Sequence, residues 1–361
     1  MSDILIGTRK GLFRYRNRAV ELVDFLGIPV TVVLRDPRDG RIHAALDHGH
    51  FGIKLHRSDD DGATFTEASA PVYPPRPGDE TDPVRGDDVP WSTSLIWALE
   101  AGHPDDAGAL WCGTIPGGLF RSTDRGDSWE LVRSLWDDPS RTNWFGGGYD
   151  FPGIHSVSID PSRPETVLVG ISCGGAWRSD DLGATWSVTK GMIADYMPPE
   201  NAEDPTIQDP HRLARCAAAP DVVWCQHHSG MFKSTDGGSS WNEIRDVAPS
   251  TFGFAVAAHP KDPDTAWFVP AISDEVRVPV DGRMVVTRTR DGGRSFGAFG
   301  AGLPAENAWH LVYRHGLDVD ETGERLALGS TTGSLWVSED GGDQFSEVSN
   351  DLPPIACVRF V

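Results

Sequence analysis

Short apolar runs recur along the whole chain, each broken off by glycine, proline or aspartate; ILIGT, GLFRY, ALWCGT, HSVSID and WELVRS are typical. Runs this short, bounded by turn formers, predict strands rather than helices. They also recur in a fixed order. A strand ends in a proline turn (HSVSIDPSRP), a second strand follows (ALWCGT), then a short hairpin, a third strand (GGLFRS) and a fourth (WELVRS). Four short antiparallel strands per repeat make the blade of a β-propeller.

Between the third and fourth strands the same polar turn is written six times: RSDDDGATF from Arg57, RSTDRGDSW from Arg121, RSDDLGATW from Arg178, KSTDGGSSW from Lys233, RTRDGGRSF from Arg288 and VSEDGGDQF from Val337. The frame is Ser/Thr-x-Asp-x-Gly-x-Ser/Thr-aromatic, with Gln344 its one departure in the penultimate place. Its first residue falls at 58, 122, 179, 234, 289 and 338, spacings of 64, 57, 55, 55 and 49. The glycine supplies backbone freedom for a tight turn. The aspartate accepts from turn N–H groups, and the aromatic packs between sheets. Six copied aspartates at a regular interval are structural, since a reaction needs such a group once.

The blades span about 28–67, 94–133, 153–190, 209–245, 252–299 and 307–350. The seventh has its parts at the two ends. ILIGTRKGLFRY matches LWCGTIPGGLFRS without the polar turn, AVELVDFL supplies a fourth strand, and IACVRFV at the C-terminus supplies the missing first. Residues 354–361 with 1–26 then close the structure and leave no open sheet edge. The expected fold is all-β: one seven-bladed propeller over 1–361, closed by one C-terminal and three N-terminal strands.

The polar turns are Asp boxes, and the chain resembles the BNR-repeat, sialidase-like superfamily over nearly its whole length. That group includes sialidases, xyloglucanases, the sortilin propeller and photosystem II assembly factors, so the resemblance implies the fold and leaves enzyme and binding protein both open. Such bacterial chains often carry the label exo-α-sialidase. A sialidase holds its substrate carboxylate with three arginines, one in an Arg-Ile-Pro motif, and this chain has Gly27-Ile28-Pro29. Arg9, Arg35 and Arg85 stand outside that motif, which argues against sialidase activity.

Composition narrows the rest. Forty glycines and 27 prolines suit a turn-rich fold. A formal charge of −21 disfavours nucleic acid and anionic lipid as partners. Cys112, Cys173, Cys216, Cys225 and Cys357 are odd in number, widely spaced and without a CxxC pair, and the N-terminal stretch lacks a long apolar segment. A cytoplasmic protein without disulfides is the expectation.

The loops entering each first strand and the hairpins between second and third strands share one face, and the Asp boxes lie on the other. His155, His211 and His310 are read as opening first strands; His48, His50, His227 and His228 sit in 2–3 hairpins of the same face. Imidazoles from separate strands can hold zinc, copper or iron. The bland alternatives are histidines that satisfy backbone groups and a pocket without metal. Cys173 shares that rim and is a further ligand or nucleophile candidate. Long insertions at 68–93, 134–152 and 191–208 precede successive first strands and offer Trp91, Trp144, Phe145, Tyr149, Asp150 and Tyr196 as walls. Tyr149, Asp150 and Arg85 are the catalytic candidates, Arg85 for an anion.

The favoured reading is a cytosolic, sialidase-like propeller whose histidines hold a divalent transition metal and which acts on a small molecule as a hydrolase, lyase or oxidase. The alternatives are a metal-free glycoside hydrolase, acting on a glycan with two carboxylates about 5–10 Å apart, and a scaffold that binds another protein.

Overall fold

The computed structural model describes residues 3–76, 78, 81, 86 and 88–361. Among these residues the strands form seven four-stranded antiparallel sheets. They are residues 30–68, 95–131, 153–188, 210–244, 253–299 and 317–349, each in sequential order, and a seventh in which Ile355–Phe360 precedes Ile4–Thr8, Gly11–Arg16 and Ala19–Asp24. The fold class is a seven-bladed β-propeller, as the repeats predict. The C-terminal strand pairs with the N-terminal one from Ile4↔Phe360 to Thr8↔Ile355, with a bulge at Gly7/Thr8. Gly7 is needed there, because a Cβ would lie 2.6 Å from Cys357 Sγ and 3.0 Å from the Val30 carbonyl.

By contacts the chain divides into two compact units, one of residues 1–33, 214–235 and 242–361 and one of 34–213 and 236–241. In the first, Ile4, Ile6, Ile355 and Val358 of the closing sheet pack on Ala327, Leu335 and Val337 of its neighbour. In the second, Trp111, Leu119, Ile154, Val167, Val169, Ile171 and Trp177 fill the space between the 95–131 and 153–188 sheets. Such interdigitated aromatic and branched side chains are what apolar burial rewards most. All five cysteines are buried and unbridged. No helix among the described residues is long and apolar enough to cross a membrane.

The repeated turn is built the same way each time. Ser122 Oγ donates to Asp124 Oδ1 (2.8 Å) and accepts from the Gly126 N–H (2.8 Å). Asp124 in turn accepts from the Ser128 N–H (2.9 Å) and hydroxyl (2.5 Å). The turns at Ser58, Ser179 and Thr289 repeat all four bonds. At Ser338 three of the bonds recur, with Gln344 donating its backbone N–H to Asp340 (2.9 Å). Gly126 adopts φ +85°, a conformation that L side chains resist. Hydrogen bonds from Ser128 hold the Asp124 carboxyl down at about 2.

Each turn is also tied sideways. The basic residue before the motif reaches the next turn along the chain: Arg178 to the Asp236 carbonyl (2.8 Å) and Ser239 Oγ (2.9 Å), Lys233 to the Gly292 carbonyl (3.1 Å), Arg288 to the Gly341 carbonyl (2.6 Å) and Asp343 (2.7 Å), and Arg57 to Asp127. Arg121 departs from this and binds Asp106 of its own sheet. The tryptophan after the motif reaches backwards, Trp129 to the Ser69 carbonyl (2.9 Å) and Trp241 to Thr189 Oγ1 (2.9 Å). Beneath the Gly126 turn lies His43, fully buried, with neither ring nitrogen hydrogen-bonded.

Replacing Ser122 by alanine strands the buried Gly126 N–H and should lower the unfolding free energy by about 1–3 kcal/mol, read from the urea midpoint; the exposed Ser128→Ala should cost less. Burial, with Arg41 adding to it, pushes the His43 imidazole down to about 4. Its folded pKa lies below the unfolded value, so only the unfolded chain takes up this proton as pH falls from about 6.5 to 4. Stability is full above that window and declines through it by up to about 3 kcal/mol on this account. His43→Leu should flatten that part of the stability–pH curve; an unchanged slope would refute the assignment.

Candidate functional site

The strand-1 ends of the 153–188 and 210–244 sheets carry a group of buried, chemistry-bearing side chains in the second unit. Asp209, the residue before strand Pro210–Arg215, is buried, as is His211 in that strand. Asp209 Oδ1 accepts from Ser172 Oγ (3.1 Å) and the Cys173 N–H (3.1 Å), where strand Arg163–Ser172 turns into its hairpin. Its other oxygen, Oδ2, lies 3.3 Å from His211 Nε2. The arrangement fixes the Nε2 edge of the imidazole on a carboxylate that is itself held by two donors, and both residues are of a type that can ligate a metal ion. Cys173 sits at φ +49°, which aims its N–H at Asp209.

The loop before strand Gly153–Asp160 closes over this group. A Cβ on Gly147 would lie 2.7 Å from Cys173 Sγ and 3.7 Å from Asp209 Oδ2, and one on Gly146 would strike the Tyr149 and Asp150 carbonyls. The first two glycines of the triplet are thus demanded by close approach, whereas Gly148 faces open space. The turn presents Tyr149, 49% exposed, and Asp150, also exposed, to solvent. The Tyr149 ring stands edge-on to Trp97 (4.9 Å), which stands edge-on to His155 (5.4 Å). Trp144 of the same loop is buried, edge-on to Trp177 at 5.7 Å, so it anchors the loop rather than walling a pocket.

The seven predicted ligand histidines have distinct surroundings. His155 Nε2 lies 2.7 Å from the Pro210 carbonyl, and Nδ1 lies 2.9 Å from Ser156 Oγ, which accepts from the Leu213 N–H. These partners assign an Nε2–H tautomer with both nitrogens committed, a brace between two first strands. His227 Nδ1 accepts from the Ser229 N–H (3.0 Å), and His228 stands edge-on to Phe252 (5.8 Å). His48 and His50 lie against Phe51, with ring centroids 5.2 and 3.9 Å away. His310 opens no strand: it sits in an irregular stretch before Leu317–Val319, its Nδ1 2.6 Å from Thr332 Oγ1. Leu311 and Tyr313 beside it are spent on packing with Phe252, Phe254 and Ala271, so this apolar run does not join the sheet. Arg85 lies outside the described residues.

Asp209, Ser172 and Trp97 were not singled out by sequence. A lone aspartate before a proline reads as a turn, and its partners lie 36 and 37 residues away.

No family model matches the chain. It is 25% identical over 321 residues to a probable oligoxyloglucan-reducing end-specific xyloglucanase of Neosartorya fischeri, covering 78% of this chain and 36% of that protein. A xyloglucanase of Hypocrea jecorina is 30% identical over 156 residues, 39% of this chain and 17% of that one. The chain therefore spans about a third or less of these curated relatives. Among solved structures, the GH74 xyloglucanase from Xanthomonas campestris superposes with a TM-score of 0.65 at 18% identity, over 96% of this chain and 52% of that one. YCF48 bound to D1 peptide superposes with a TM-score of 0.52 at 15% identity, over 89% and 82%. These likenesses share the propeller fold. The expectation of a metal-dependent enzyme acting on a small molecule is corrected by them: the curated relatives are xyloglucanases, and the glycoside-hydrolase alternative fits better.

Proposed function

We propose that this chain is a glycoside hydrolase that acts, without a metal, on a xyloglucan-like glycan. The observation that carries the reading is the sequence similarity to a probable xyloglucanase along 78% of the chain. The six Ser/Thr-x-Asp-x-Gly turns support placing the chain in the Asp-box, sialidase-like superfamily. The charge of −21 supports a neutral glycan over an anionic polymer.

Hydrolysis of a glycosidic bond needs one carboxyl to protonate the leaving oxygen and a second to activate water or attack the sugar. Asp150 is assigned as one of the two. It stands exposed at a turn whose shape is fixed by Gly146, beside a tyrosine ring that can lie against a sugar. Asp209 is too deeply held for that work; with Ser172, Cys173 and His211 it forms the rigid floor under the turn. Cys173 and Ser172 are part of that floor and not nucleophiles in this reading.

Asp150→Asn removes the proton-transferring group and keeps its size. It should lower reducing-end release from a xyloglucan oligosaccharide by about a hundredfold or more, with the thermal transition unchanged. An unaltered rate would take Asp150 out of the chemistry. If the unmodified protein releases no reducing ends from any xyloglucan oligomer, the hydrolase assignment fails and a binding role replaces it.

A further inference from the structure

Of thirteen tryptophans, twelve are buried or half-buried, and Trp309 alone is exposed, at 67%. Its backbone is anything but loose. Ala308 before it is fully buried and donates its N–H to the Gly282 carbonyl (2.9 Å). His310 after it is held by Thr332 Oγ1 and stands edge-on to Trp336 (5.0 Å). Leu311 accepts from the Thr331 N–H (2.8 Å), and Met284 donates to the Pro304 carbonyl (2.9 Å). Asn307 takes φ +53°, a conformation uncommon for a residue with a side chain. The segment is thus stitched to the hairpin of residues 271–285 on one side and to the 330–332 turn on the other, and the alternation in–out–in forces the indole outwards.

We propose that Trp309 is a stacking platform for a pyranose ring of a neutral glycan; this rests on the glycan reading above. The axial C–H bonds of a pyranose form a flat apolar face that matches an indole, and the ring hydroxyls around it need polar neighbours. Glu306 and Asn307, both exposed, precede the indole in the chain and are of the polar type required. A platform already pinned by its neighbours loses little conformational freedom when it binds. Leaving an indole in water forgoes apolar burial of a few kcal/mol, roughly what a large side chain yields, so a segment this well fixed with its largest side chain outside is arranged for an occupant. The acidic surface argues against a phosphate-bearing one.

The test is acrylamide quenching of tryptophan fluorescence with and without a xyloglucan oligosaccharide. Trp91, Trp129 and Trp186 are half-buried, so the quenched fraction that is lost in Trp309→Phe is the one that reports on Trp309. The oligosaccharide should shield that fraction. Trp309→Ala should weaken oligosaccharide binding about tenfold or more, Trp309→Phe should recover most of it, and the thermal transition should be unchanged in both. Equal affinity in Trp309→Ala, or no binding by the unmodified protein, overturns the proposal. So does shielding that appears with rising protein concentration in the absence of sugar, which would assign the surface to a protein contact. Binding that depends on Trp309 in a protein that cleaves nothing would sustain this subsite while ending the hydrolase assignment.

Discussion

The structure depends on a single small hydrogen-bond circuit, in which one hydroxyl accepts from a glycine N–H and donates to an aspartate two residues on. The circuit satisfies donors that a tight turn between the third and fourth strands would otherwise bury unpaired, and that is expensive in a protein interior. Because the same geometry recurs, each turn offers the same carbonyls and carboxylates to its neighbours. Arg178, Lys233 and Arg288 use those groups as handholds, and Trp129 and Trp241 reach the other way. The repeat is therefore both a local motif and the means by which successive sheets are kept in step.

With one end of six sheets held by closely similar turns, the opposite ends are free to differ. There the 153–188 and 210–244 sheets place a buried carboxylate between two donors and an imidazole. The His155 ring ties the two first strands together through Pro210 and Ser156. This group is stiff and largely enclosed, which suits a foundation. The solvent-facing groups, Tyr149 and Asp150, stand on a turn that glycines allow to sit directly on that foundation. Under the proposed hydrolase reading, rigid support beneath an exposed acid would position the reacting group without a cost at each turnover.

Much of the fold was legible because its determinants are local: Ser, Asp and Gly at fixed offsets dictate a turn whatever surrounds them, and the C-terminal IACVRFV was needed to complete a blade that began at Ile4. The site was legible only in part. His155 stands on a first strand, as its place in GIHSVSID implied, but its ring nitrogens are spent on Pro210 and Ser156, contacts that no spacing encodes. LVYR after His310 has the look of a strand, yet its apolar residues pack on the preceding blade and strand pairing begins only at Leu317. Trp144 looked like a pocket wall because loops favour exposed aromatics near sites; it is instead the buried anchor that lets the glycine triplet pass over Cys173. Asp209 stayed invisible because a buried carboxylate is recognised by its donors, and these are distant in sequence.

The proposed function places carboxylate chemistry on a glycan, and not an ion held by histidines, at the heart of this propeller's activity. The direct measurement is release of reducing ends from a xyloglucan oligosaccharide by protein dialysed against EDTA, compared with undialysed protein. Equal rates are predicted. A rate abolished by the chelator and restored by zinc, copper or iron would contradict the claim.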